Sequence, residues 1–198
     1  MKNKVFMFFC CFVAFIFVAC RDEADESFIT SGTNYSKEKH LQMENIDRNS
    51  YAEVADVFLE TSVIKSDGLP YLLIFGANGC VYCDRLKNII KEDSKVKDIL
   101  KTNYSPYYIN ISYTKTHKID FLNASLNTIE LAQKYGIKPT PTIIFLSKNG
   151  DELFVYPGFM PKERFIKTLE FFKDSAFDKK NLDSIKQELQ AHWATQGV

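Results

Sequence analysis

The segment from Tyr71 to Asp84 constrains the fold more than any other stretch of the chain. Tyr71-Leu72-Leu73-Ile74-Phe75 is a short apolar, aromatic-rich block that predicts a buried strand. Gly76-Ala77-Asn78-Gly79 follows, then Cys80-Val81-Tyr82-Cys83-Asp84, then Arg85 to Lys91 with Leu86, Ile89 and Ile90 at helical spacing. A Cys-x-x-Cys pair thus falls where a strand gives way to a helix, with Cys80 at the helix mouth. Unpaired backbone N–H groups and the positive end of the helix dipole favour an anion there, and a thiolate is an anion. Cys80 is therefore expected to be acidic and nucleophilic. Cys83, three residues on, shares the same face of the first turn and can close a disulfide with it.

A structural disulfide, or half of a zinc site, would use the same two residues. Zinc asks for about four ligands, usually a second Cys-x-x-Cys or a closely spaced His pair. The histidines are His40, His117 and His192, which are scattered, and no second cysteine pair follows. The expectation is no metal and no dissociable cofactor.

A second block, Tyr135-Gly136-Ile137-Lys138-Pro139-Thr140-Pro141-Thr142-Ile143-Ile144-Phe145, lies downstream. Together with strand, Cys-x-x-Cys and helix it resembles the thioredoxin superfamily, in the flavour of the periplasmic DsbC/SoxW-like proteins, over roughly residues 50–173. The resemblance implies an α/β thioredoxin-like fold, a central mixed β-sheet flanked by helices, with an inserted loop and an extra C-terminal helix. In that family the second block ends in a cis-proline facing the active-site pair, and the matching residue is Pro141, preceded by Thr140. The implied catalytic residues are Cys80 and Cys83, and Thr140, Pro141 and Tyr82 are the implied substrate-binding positions. Two departures stand out. The strand position that carries a buried acid in thioredoxin is Ile74, and the usual tryptophan before the first cysteine is Gly79.

The N-terminus bears on location. Lys2 and Lys4 precede an unbroken apolar run from Val5 to Val18, shorter than the ~18–20 residues that span a bilayer, so residues 1–19 are expected to be a signal peptide. Phe17-Val18-Ala19-Cys20 resembles a bacterial lipobox, which makes Cys20 a lipidation candidate; ordinary cleavage and an uncleaved anchor are the alternatives. Cys10 and Cys11 would leave with the signal, so only Cys80 and Cys83 would remain as thiols, with no spare cysteine to mispair in an oxidising compartment. The chain carries 25 basic and 25 acidic residues; without Lys2 and Lys4 the balance is 23 to 25, or −2. Nothing in it suggests nucleic acid.

Residues 20–49 are polar, without sustained period, and are expected to be a lipid-anchored tether. A thioredoxin-like domain is assigned to residues 50–174. Ser50 with Glu53 fits a capping box for a helix whose face is Val54, Val57, Phe58 and Leu59, ending near Ser66-Asp67-Gly68. A short helix from Val96 to Lys101 and a strand from Tyr104 to Ile111 come after the Cys-x-x-Cys helix. Ser112 to Leu126 has no clear period and is expected to be an inserted loop, with His117 a solvated residue in it. Ile129 to Tyr135 predicts a helix stopped by Gly136, Thr142 to Ser147 a strand, Lys148 to Asp151 a turn, and Glu152 to Tyr156 its partner. Pro161 opens a helix with Phe165, Ile166, Leu169 and Phe172 on one face. In residues 175–198, Leu182, Ile185, Leu189 and Trp193 mark an amphipathic helix that docks on the domain or on a partner.

The expected activity is extracytoplasmic thiol–disulfide exchange on the periplasmic side of a bacterial membrane. Its partners would be disulfide-containing exported proteins, a membrane or periplasmic redox protein, and the membrane itself through the lipid anchor. Val81-Tyr82 contains no histidine to stabilise the thiolate, which favours reduction over a strongly oxidising role. Disulfide-introducing oxidation, and a scaffold lipoprotein with a structural disulfide, are the alternatives.

Overall fold

The computed structural model describes residues 42, 45–173, 177 and 181–198. Cys20, the signal segment and most of the expected tether lie outside the described residues.

Four strands make the main sheet: β2 (Tyr71–Gly76), β3 (Ser105–Asn110), β6 (Thr142–Leu146) and β7 (Glu152–Pro157), in the order β3-β2-β6-β7. β3 runs parallel to β2, whereas β6 and β7 are antiparallel to their neighbours. Successive side chains of a strand point to opposite faces, and here both faces are covered, so all six residues of β2 are buried. Leu72 and Ile74 face one cluster with Tyr108, Ile143 and Phe145. Against it pack helices α1 (Val81–Glu92), α2 (Ser94–Asn103), α4 (Lys162–Phe172) and α5 (Leu182–Gln196). Leu73 and Phe75 face the other way, onto Ile144, Leu146 and Leu131 of α3 (Thr128–Lys134). A continuous apolar run is what a strand buried on both faces requires.

α5 brings Ile185 and Leu189 into the first cluster beside Phe172. Trp193 is fixed by a hydrogen bond from its Nε1 to Thr168 Oγ1, 3.0 Å, and by Arg164 stacked 4.8 Å from its ring. The amphipathic face thus docks on the chain's own core through Ile185, Leu189 and Trp193, whereas Leu182 at its start stays exposed.

Three expectations fail. The helix predicted from Ser50 is a single 3₁₀ turn, Ala52–Val54. Ser50 Oγ donates to the Asp47 carbonyl, 2.6 Å, rather than capping the turn, and Glu53 pairs with Lys87 instead of reaching back. Val54, Val57 and Phe58 are buried all the same, because irregular backbone delivers them to the core. The expected loop at 112–126 is also structured. β4 (Thr116–Ile119) and β5 (Ala124–Asn127) form a hairpin, and β4 pairs in parallel with β1 (Val63–Ile64) to make a second, three-stranded sheet.

His117 on β4 is buried, not solvated. Its Nδ1 lies 2.7 Å from the Thr61 carbonyl, which can only accept, so Nδ1 carries the proton. Nε2 is 3.0 Å from Thr128 Oγ1 and accepts from that hydroxyl. The Lys115 N–H in turn donates to Thr128 Oγ1, 3.0 Å. Burial pushes the His117 pKa down, against the pull of its bond to Thr61. Beside it Lys115 pairs with Glu60 and, at 3.8 Å, with the buried Asp47. Burial pushes the Asp47 carboxyl up to about 6 although Lys115 pulls it down.

Candidate active site

The register of the main sheet gathers the sequence-predicted residues at one end. β2 stops at Gly76, opposite Asn110 at the end of β3, and Phe75 pairs with Thr142 at the start of β6. The loop 77–80 and the loop carrying Thr140 and Pro141 therefore leave the sheet side by side. Gly76 is dictated by space: a Cβ there would sit 2.0 Å from the Tyr108 hydroxyl. Gly79 is dictated by backbone, since its φ of +69° is the left-handed turn that swings the chain into α1.

Cys80 is the N-cap of α1, with its Sγ accepting from the Cys83 N–H at 3.1 Å. The two cysteines are joined as a disulfide, Cα to Cα 5.2 Å. Their environments differ. Cys80 is half-buried, whereas Cys83 is 1% exposed. The Thr140–Pro141 peptide bond is cis, and the Thr140 carbonyl oxygen lies 3.2 Å from Cys80 Sγ. Bonded sulfur has no hydrogen, so in this state the approach is a contact; a reduced Cys80 thiol would have an acceptor there. Tyr82 is 53% exposed, its ring 6.0 Å from Phe159 and carrying Arg85 at 5.1 Å, and the neighbouring Val81 is 63% exposed. Together they form an apolar rim beside the one accessible sulfur. Among the described residues no cluster of three or more His, Cys, Asp or Glu side chains is placed to hold a metal ion.

Three features around the pair were missed at the sequence level. Lys87 lies one turn below Cys83 on the buried face of α1, held by Glu53 at 2.7 Å and Asp84 at 3.1 Å. Burial disfavours its charge, but hydrogen bonds to these two carboxylates outweigh that and raise its pKa. The i+4 spacing from Cys83 was the available signal. The position of the absent acid, Ile74, lies opposite Tyr108, whose hydroxyl burial keeps protonated. The third feature is a set of side chains from both flanks that grips Asn78, with no signature in the linear sequence.

The thioredoxin-like domain family matches residues 57–173, from ahead of β1 to the end of α4. The chain belongs to the thioredoxin-like family. A thioredoxin-fold protein from Helicobacter pylori is similar to it at 36% identity, covering 76% of this chain and 98% of that one, with a TM-score of 0.70. A thioredoxin-like protein from Clostridium perfringens shares 24% identity over 56% of this chain and 80% of its own, at a TM-score of 0.40. A Thermus thermophilus thioredoxin shares 17% over 62% and 95%, at 0.46. No curated protein matches. As a thioredoxin-like protein with a bonded Cys-x-x-Cys pair, the chain has the equipment of the thiol–disulfide oxidoreductase class.

Proposed function

We propose that this thioredoxin-like protein is an extracytoplasmic thiol–disulfide oxidoreductase that reduces disulfides of exported proteins. The observation that carries the proposal is the asymmetry of the pair: Cys80 reaches the surface with an N–H aimed at its sulfur, while Cys83 is buried behind it. A thiolate held by a backbone donor at a helix start is stabilised, and only the accessible one can meet a partner.

In the reaction, the Cys80 thiolate attacks one sulfur of the substrate disulfide. That bond breaks, one substrate thiolate leaves and takes up a proton, and a mixed disulfide forms. Cys83, deprotonated, then attacks Cys80 Sγ, expelling the second substrate thiolate and closing the Cys80–Cys83 bond. Two electrons pass to the substrate, and a partner dithiol must return them. Thr140 and Pro141 would line the substrate backbone beside Cys80, with Tyr82 as part of the docking rim. The exported setting rests on the lipobox-like Phe17-Val18-Ala19-Cys20 and the apolar run before it, with Cys20 as the anchor to the periplasmic face of a bacterial membrane.

Equilibrating the protein in glutathione buffers and measuring the fraction reduced tests this. Thioredoxin-like pairs span roughly −270 to −120 mV, and a midpoint in the reducing half of that range is expected. A midpoint near −120 mV would favour the disulfide-introducing reading. A pair that stays bonded below about −300 mV would make the disulfide structural.

A further inference from the structure

The connection 77–80 is four residues long, yet one of them is gripped from several sides. The Asn78 backbone N–H donates to Ser112 Oγ, 2.9 Å, and its side-chain amide donates to the Tyr113 hydroxyl, 2.9 Å. Its Oδ1 accepts from Asn110 Nδ2 at 2.8 Å. Asn110 is itself buried and fully engaged. Its Nδ2 also donates to Ser50 Oγ, 2.8 Å, and its Oδ1 accepts from the Ser112 N–H, 3.0 Å. The last bond fixes which way the amide faces, since only its oxygen can accept. Ser50 Oγ in turn donates to the Asp47 carbonyl, 2.6 Å. The turn after β3, the end of β3 and, through Asn110, the segment before the 3₁₀ turn thus converge on the residue two places before Cys80.

We propose that Asn78 and Asn110 act as a positioning clamp that holds Cys80 Sγ against the start of α1 and so sets the acidity of the nucleophile. Only Gly79, in a left-handed conformation, separates the gripped residue from Cys80. With its left-hand end fixed, the short connection has little freedom to carry the sulfur away from the Cys83 N–H. Releasing Asn78 lets Cys80 sample positions where its thiolate lacks that donor, and a lost hydrogen bond to the charged form raises a pKa. Asn78, Asn110, Ser50 and Ser112 bear no ionisable group, so the clamp acts through geometry and not through a net charge of its own. It also occupies the neighbourhood where the sequence has Gly79 in place of a shielding tryptophan. The inference rests on Cys80 being the nucleophile of the proposed exchange reaction.

Thiolate absorbance against pH, in the Cys83→Ser background where one thiol remains in the domain, reads the effect directly. Asn78→Ala is expected to raise the Cys80 pKa by about half a unit to one unit, a three- to tenfold change in thiolate population below the midpoint. Tyr113→Phe, which removes one outer bond, should give a smaller rise. Asn149→Ala, an exposed asparagine at the opposite end of the sheet, should give none. Asn110→Ala should match or exceed Asn78→Ala, and because Asn110 is buried the exposed Asn78 variant carries the test if that protein does not fold. A lowered melting temperature with an unchanged Cys80 pKa in Asn78→Ala would make the clamp merely structural and overturn the inference alone. A parent Cys80 that titrates at or above the free-thiol value of about 8.5 would instead overturn the exchange reading, and the clamp with it.

Discussion

The mouth of α1 and the polar cluster under the second sheet are made of similar groups put to opposite use. At the mouth, Cys80 meets a backbone N–H and a carbonyl oxygen while remaining half open to solvent. Under the second sheet, His117 also meets a carbonyl and a hydroxyl, but it is 1% exposed and both ring nitrogens are taken. Polar groups placed at the surface with capacity to spare can act on a partner. The same groups sealed in and saturated only hold the chain together, because leaving any of them unpaired costs about 1–3 kcal/mol. Neither residue type nor hydrogen-bond count separates the two; accessibility does.

That contrast can be broken most forcefully at His117. His117→Ala strands the Thr61 carbonyl and leaves a cavity, while the Thr128 hydroxyl keeps the Lys115 backbone, so a loss of about 2–4 kcal/mol in unfolding free energy is expected. The redox midpoint should stay where it was. Denaturant titration beside glutathione equilibration checks both, and a midpoint that moves with the stability would mean that the cluster belongs to the site.

A pH series sharpens the comparison. Asp47 has its folded pKa raised from 3.8 to about 6, so its contribution to stability is present below pH 3.8 and disappears as pH climbs through 6, on the order of 3 kcal/mol in all. His117 runs the other way. Its folded pKa is depressed below 6.5, so its contribution is present above pH 6.5 and is lost as pH falls through the folded value. The two slopes oppose each other in the native protein. Asp47→Asn should unmask a stability that rises as pH approaches 6.5 from below. Unfolding curves unchanged in shape by Asp47→Asn would contradict the assignment of a buried, raised carboxyl.

The smallest effect on stability is expected at the rim. Tyr82 is exposed, so Tyr82→Ala should change unfolding free energy by no more than about 0.5 kcal/mol. Reduction of a peptide disulfide should slow several-fold through KM rather than kcat, as fits a residue that only receives the substrate. Steady-state kinetics at varied peptide concentration separate these.

The same division explains what could be read in the chain beforehand. Local chemistry was legible: the apolar run of β2, the cysteines at a helix start, Gly136 ending α3, and the Ile185-Leu189-Trp193 stripe of α5 all declare themselves from local spacing. The region from Ser50 to Phe58 misled because Ser-x-x-Glu resembles a cap, whereas Glu53 is drawn to Lys87 on another element. The hairpin at 116–127 was hidden because its pairing partner, β1, is two residues long and lies more than fifty residues earlier. His117 and the Asn78–Asn110 clamp depend wholly on such distant contacts, which spacing does not record.

The most direct test is to stop the proposed reaction halfway. With Cys83→Ser expressed in full length, the Cys80 thiolate can attack a substrate disulfide but nothing remains to resolve the product. Covalent adducts should accumulate on non-reducing gels and disperse with reductant, and Cys80→Ser should yield few, because the remaining thiol is buried. Equal trapping by both variants would contradict the division of labour between the two sulfurs. An absence of adducts from either, in protein that still folds, would contradict the exchange reaction itself.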